Sequence, residues 1–168
     1  MPEAPVRPPA RRYCDNGGNG MLTLSSKSFR PSEEMSQKYG KKAQNVSPQL
    51  AWTEVPPGTK SFALAMVDRH PVARGFVHWL VTDIGADITA LREDAAHGGM
   101  PAGSQEVKPY AGPFPPSGTH DYEFTLYALD AEKVDVPSKA GLDAFMDAVA
   151  PHTVGMAKLV GKFTKGGS

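Results

Sequence analysis

Apolar residues recur at every second position through two stretches of this chain. In Ser61–Asp68, Phe62, Leu64 and Met66 share one face with Asp68, while Ser61, Ala63, Ala65 and Val67 share the other. In His120–Leu129, His120, Tyr122, Phe124, Leu126 and Ala128 alternate with Asp121, Glu123, Thr125 and Tyr127. A period of two marks a β-strand with one buried face. Phe76–Ile84 is apolar on both faces, which predicts a central strand covered on both sides, with His78 on the face of Phe76 and Leu80. Shorter strands are predicted at Met21–Ser26, at Leu50–Thr53 around Trp52, and at Met156–Thr164. Leu142, Phe145, Met146 and Val149 follow helical spacing, so Lys139–Val149 reads as an amphipathic helix with Ser138 as its N-cap and Pro151 as its stop. Residues 30–46 read as irregular or extended chain, and 86–109 as a long surface excursion in which His97 is a solvated loop residue.

Polar residues at the ends of these strands carry the chemistry. Asp68 is the last residue on a bulky apolar face, where an unpaired carboxylate is costly, so it must reach solvent or a partner. Antiparallel pairing of 61–68 with 76–84 brings Asp68 and His78 to the same end of a sheet. His120, the first residue of its strand's apolar face, can sit at that end too. The stretch before it, YAGPFPPSGTHDY (Tyr110–Tyr122), holds two adjacent prolines that lock φ and donate no N–H. It reads as a rigid loop whose Phe114, Pro115 and Pro116 overhang a small pocket. Two imidazoles, the Tyr122 phenol and loop backbone supply donors for a small anion such as phosphate, sulfate or a carboxylate, with Asp68 orienting a histidine. Two other chemistries use the same residue types. A metal could take Asp68, His78 and His120, but the close-spaced ligand pair usual for zinc is missing. A hydrolase could use an Asp–His base, but the chain has no G-x-S-x-G elbow and Cys14 is badly placed. No G-x-G-x-x-G or Walker loop supports nucleotide binding. The reading is a binding protein, not an enzyme, with neither cofactor nor metal.

Composition narrows the rest. The 168 residues suit a single domain, 21–168, behind an extended Pro- and Gly-rich arm, 1–20. Lys+Arg and Asp+Glu balance at 18 each, which argues against a broad nucleic-acid footprint. No apolar run reaches the roughly 20 residues of a membrane helix, and the N-terminus lacks the apolar core of a secretory signal. The single Cys14 cannot form an internal disulfide. These features point to the cytoplasm, with the periplasm open if a leader was removed. The arm leaves a homodimer contact open.

The chain resembles the phosphatidylethanolamine-binding proteins, also called Raf kinase inhibitor proteins, and within them the short bacterial branch. The matching pieces are NVSPQLAW (Asn45–Trp52), SFALAMVD (Ser61–Asp68), FVHWLVTDI (Phe76–Ile84), YAGPFPPSGTHDYEFTLYALD (Tyr110–Asp130) and LVGKF (Leu159–Phe163). The resemblance implies a mainly β fold of two antiparallel sheets, a Greek-key-like β-sandwich, with one or two peripheral helices, the main one near 139–150. It implies an anion pocket lined by Asp68, His78, Pro115, His120 and Tyr122, with the backbone of Gly112–Phe114 close by. It also implies a phospholipid headgroup as ligand and, as an alternative, inhibition of a kinase or protease through the pocket rim. In one place the chain departs from the family's Asp-Pro-Asp-Ala-Pro, reading Asp68-Arg69-His70-Pro71-Val72. Either His70 stands in place of the second aspartate or Pro71 aligns with the later proline; both ways the pocket loses a negative charge and gains a basic group, and the expectation is tighter anion binding at mildly acidic pH.

Overall fold

The computed structural model describes residues 21–137 and 139–165. The expected arm 1–20 with Cys14, the Ser138 cap and residues 166–168 lie outside the described residues. The strands are β1 (Thr23–Ser25), β2 (Leu50–Thr53), β3 (Ser61–Asp68), β4 (Val77–Gly85), β5 (Ala90–Leu91), β6 (Gln105–Lys108), β7 (Thr119–Leu129) and β8 (Thr153–Thr164), with one helix, α1 (Leu142–Val149). They form a three-stranded sheet, β1-β2-β5, and a five-stranded sheet, β6-β4-β3-β7-β8, antiparallel throughout. The fold is mainly β with two antiparallel sheets, as the resemblance implied.

The alternation in β3 and β7 decides what covers each face of the large sheet. Phe62, Leu64, Met66, Phe124, Leu126 and Ala128 turn toward the small sheet, where they join Leu24, Leu50, Trp52 and Leu91 in one core. Trp52 packs on Phe62 with ring centroids 5.4 Å apart. Each such side chain contributes about 1.5–3 kcal/mol by leaving water. The opposite face is built small. Ala63 and Ala65, with Leu80, Tyr127 and Leu129, leave room for α1 to lay Phe145 and Val149 against the sheet. No described helix is long and apolar enough to cross a membrane.

Three expectations change. The helix begins at Leu142 rather than Lys139, because Lys139 adopts φ 65° and Gly141 is extended (φ −85°, ψ −174°) and serves as the N-cap. The last strand starts at Thr153, three residues earlier than its apolar pattern shows, and pairs with β7 along its whole length. The excursion 86–109 contains two short strands, β5 and β6, each extending the edge of a sheet. The segment 30–46, irregular but for a 3-10 turn at Gln37–Tyr39, has a structural role as well. Ser32 N donates to Val160 O (2.7 Å) and Met35 N to Lys162 O (2.7 Å), and Lys162 N donates to Glu33 O (3.0 Å). These bonds close the exposed edge of β8, which an unpaired strand would otherwise offer to other chains.

Candidate functional site

At one end of the large sheet, β3, β4 and β7 finish around a cavity of about 210 Å³ lined by Asp68, His78, His120, Tyr122, Phe76 and Phe114, with Val72, Ala73, Pro115 and Pro116 completing the wall. Asp68 and Tyr122 face each other across the β3–β7 ladder. Asp68 is 4% exposed and His120 1%. Burial of the carboxylate is offset by two hydrogen bonds: His120 Nδ1 donates to its Oδ2 (2.7 Å) and the His70 backbone N–H to its Oδ1 (2.9 Å). The first bond fixes the ring of His120 and leaves Nε2 as its free nitrogen.

His78 arrives by a different route. Along β3 and β4, Met66 pairs with Trp79 and Val67 with Val77, so His78 has no partner and forms a β-bulge. Leu80 turns toward α1, whereas Trp79 and His78 both turn toward the core side. The expectation that His78 shares the face of Leu80 is therefore corrected: the extra residue reverses the alternation and delivers the imidazole to the cavity. There Nδ1–H donates to Ala111 O (2.6 Å). Burial lowers the pKa of His78, against the opposing pull of the Ala111 carbonyl and Asp68. The ring is thus held toward its neutral form, with its one N–H committed and Nε2 left as an acceptor.

Tyr122 is fully buried, and its hydroxyl has no hydrogen-bond partner among the described residues. Burial, reinforced by the nearby Asp68 carboxylate, pushes the phenol well above its ordinary value, so it keeps its proton. Its ring meets His78 edge-on at 5.1 Å and stacks with His120 at 6.3 Å.

The mouth is aromatic and cationic. Phe76 and Phe114 meet edge to face at 5.7 Å, and both contact His78. Lys41 Nζ lies 5.1 Å from the Phe114 centroid and Lys108 Nζ lies 5.5 Å from that of Phe76. Sequence reasoning missed Phe76 and both lysines as site groups; the aromatic pattern of β4 was visible, but the lysines come from unrelated segments.

His70 and Gly112 stand behind the cavity rather than on its wall. The ring of His70 stacks flat on His120, with centroids 3.9 Å apart and planes 8° off parallel. Its Nδ1 accepts from Val72 N (3.1 Å), capping the 3-10 turn Pro71–Ala73. Gly112 is where the loop crosses the 39–41 backbone; a Cβ there would collide with Tyr39 O. Asn45 clamps the same place, accepting from Gly112 N (2.7 Å) and donating from Nδ2 to Tyr110 O (3.4 Å). The NVSPQLAW stretch contained Asn45, but nothing in its pattern showed that it braces the proline loop. Among the described residues no group of three His, Cys, Asp or Glu side chains is placed to hold a metal.

An antiparallel β domain with a polar cup at the end of its large sheet is the class that this geometry defines. The chain belongs to the phosphatidylethanolamine-binding protein family, whose family model matches residues 25–164. It is 34% identical over 152 residues to a UPF0098 protein of Methanothermobacter thermautotrophicus, covering 86% of this chain and 100% of that protein. Against the UPF0098 protein YbhB of Escherichia coli it is 32% identical, covering 85% and 100% respectively. The crystal structure of Escherichia coli YbcL, described as a new member of the mammalian PEBP family, superposes with a TM-score of 0.78 at 28% identity, covering 85% of this chain and 98% of that one.

Proposed function

We propose that the cup binds a small tetrahedral oxyanion, either free phosphate or the phosphate of a lipid headgroup. One observation carries the reading: the Tyr122 hydroxyl, buried close to the Asp68 carboxylate but with no partner at full hydrogen-bond geometry among the described residues, lines a cavity shared with two imidazoles. A buried hydroxyl left unpaired costs roughly 1–3 kcal/mol, and an anion oxygen accepting from it removes that cost. The neutral His78 sharpens the ligand. Tyr122 donates and His78 Nε2 accepts, so the best occupant both accepts and donates hydrogen bonds. A phosphate carrying one proton does both, whereas sulfate near neutral pH only accepts.

Isothermal titration with inorganic phosphate tests this. Saturable one-site binding is expected, with phosphate preferred over sulfate. Tyr122→Phe should weaken it by roughly tenfold, the loss of a hydrogen bond to a charged group, and His120→Ala should abolish it. Absence of saturable phosphate binding in the parent chain would overturn the reading.

A second reading, inhibition of a kinase or protease through the rim, draws on Val72 and Phe76, which are 61% and 42% exposed at the mouth. Solvated apolar side chains beside a pocket are the usual anchors of a protein contact. If such a target is inhibited, Val72→Ser with Phe76→Ser should relieve the inhibition by a larger factor than it changes phosphate affinity, since both residues also line the cup wall.

A further inference from the structure

A second cavity of about 220 Å³ lies on the far side of the Pro113–Pro115 wall, and Phe114 and Pro115 line both it and the cup. The rest of its lining differs in kind. Pro113 and Phe163 give an apolar floor with the exposed Ala43 at its edge, while Lys42, Lys165 and Gln37 supply the polar groups. No aspartate, glutamate or histidine is among these residues. Gln37 is already engaged, since its Nε2 donates to Thr164 O (3.0 Å). That leaves two ammonium groups as the free polar chemistry. Among the described residues, no carboxylate lies within ion-pair distance of either.

The Phe163 floor and the backbones that carry the lysines are held in place. Phe163 is 3% exposed and its ring meets Tyr122 edge-on. Lys165 N donates to Gly118 O (2.9 Å), and the loop carrying Lys42 is closed by Ala43 N and Asn45 N, both donating to Gly40 O. Two cations with no counter-charge among the described residues select an anionic head. The apolar floor selects a ligand with an apolar body, because a small hydrated ion gains nothing from burying it. We infer that this groove is a second binding site, separate from the oxyanion cup, for a carboxylate bearing a short alkyl or aryl body. The carboxylate head pairs with Lys42 and Lys165, and the body lies on Phe163 and Pro113 beside Phe114.

The test is an amide NMR titration of the full chain with hexanoate and benzoate, with acetate and hexanol as controls that each lack one half of the ligand. Hexanoate is expected to shift the amides of Ala43, Phe163 and Lys165 saturably, and acetate and hexanol to bind at least about tenfold more weakly. Lys42→Gln with Lys165→Gln removes two exposed charges, so the fold is kept. It should lower hexanoate affinity by about tenfold or more and leave phosphate affinity in the cup unchanged. His120→Ala should do the reverse. The inference is overturned if hexanoate fails to saturate, if hexanol binds as well as hexanoate, or if His120→Ala abolishes hexanoate binding, which would put the carboxylate in the cup. Failure of phosphate to bind, with hexanoate binding intact, sinks the cup reading alone.

Discussion

The side chains of the cup divide by how they reach it. Asp68 and Tyr122 come from strands that keep strict alternation, and a period-two reading puts both on the core face. The face of His78 cannot be read that way, because a bulge is a property of two strands pairing and leaves no mark on the apolar pattern of one. The stacking of His70 on His120 was equally hidden, since it depends on how a turn folds back over β7. The buried His78 has a consequence for acid stability. Its pKa is lowered in the folded protein, so below its ordinary value of about 6.5 the unfolded chain takes up the proton first. This contribution is fully present above about pH 6.5 and is lost as the pH falls from there toward the depressed folded value. Urea midpoints measured from pH 7.5 to 5 should fall more steeply in the parent than in His78→Gln, whose amide can still donate to Ala111 O. Equal slopes in the two proteins would show that His78 is not the group responsible.

Elements were legible in proportion to their length and burial. The long strands β3, β4 and β7 and the helix stand out because each buries a continuous face. The short strands β5 and β6 do not; they consist of Ala90–Leu91 and the largely polar Gln105–Lys108, and are held by neighbours and by bonds such as Trp79 Nε1 to Glu106 Oε2 (2.8 Å). The helix start was misread because Gly141 and Lys139 continue the polar phase of the pattern while their backbones leave the helix. The face under α1 is opposite the one that forms the cup, so the two should be separable. Phe145→Ala should cost about 3–5 kcal/mol of unfolding free energy by emptying the space over Ala63 and Ala65. Phosphate affinity under native conditions should stay at the parent value, and a matching loss of affinity would show that the faces are coupled.

At the scale of the whole molecule, the charge count conceals a polarity. Lys+Arg and Asp+Glu cancel over the chain, yet Lys41 and Lys108 overhang the cup and Lys42 and Lys165 edge the groove beside it. Composition was blind to this local concentration. Anion association rates should therefore fall as salt rises through the range where the Debye length shrinks below about 10 Å. Lys41→Glu with Lys108→Glu should slow association by on the order of tenfold and flatten that salt dependence, which stopped-flow mixing can follow. The unmatched residue of β4 also makes the architecture intolerant in a particular way. Shortening the strand by one position there would remove this irregularity, though not the one opposite Ala63, while turning an imidazole away from the hollow it lines. Regular pairing and an occupied hollow thus pull in opposite directions beside Met66 and Val67, where a change of one residue in length would re-aim the imidazole.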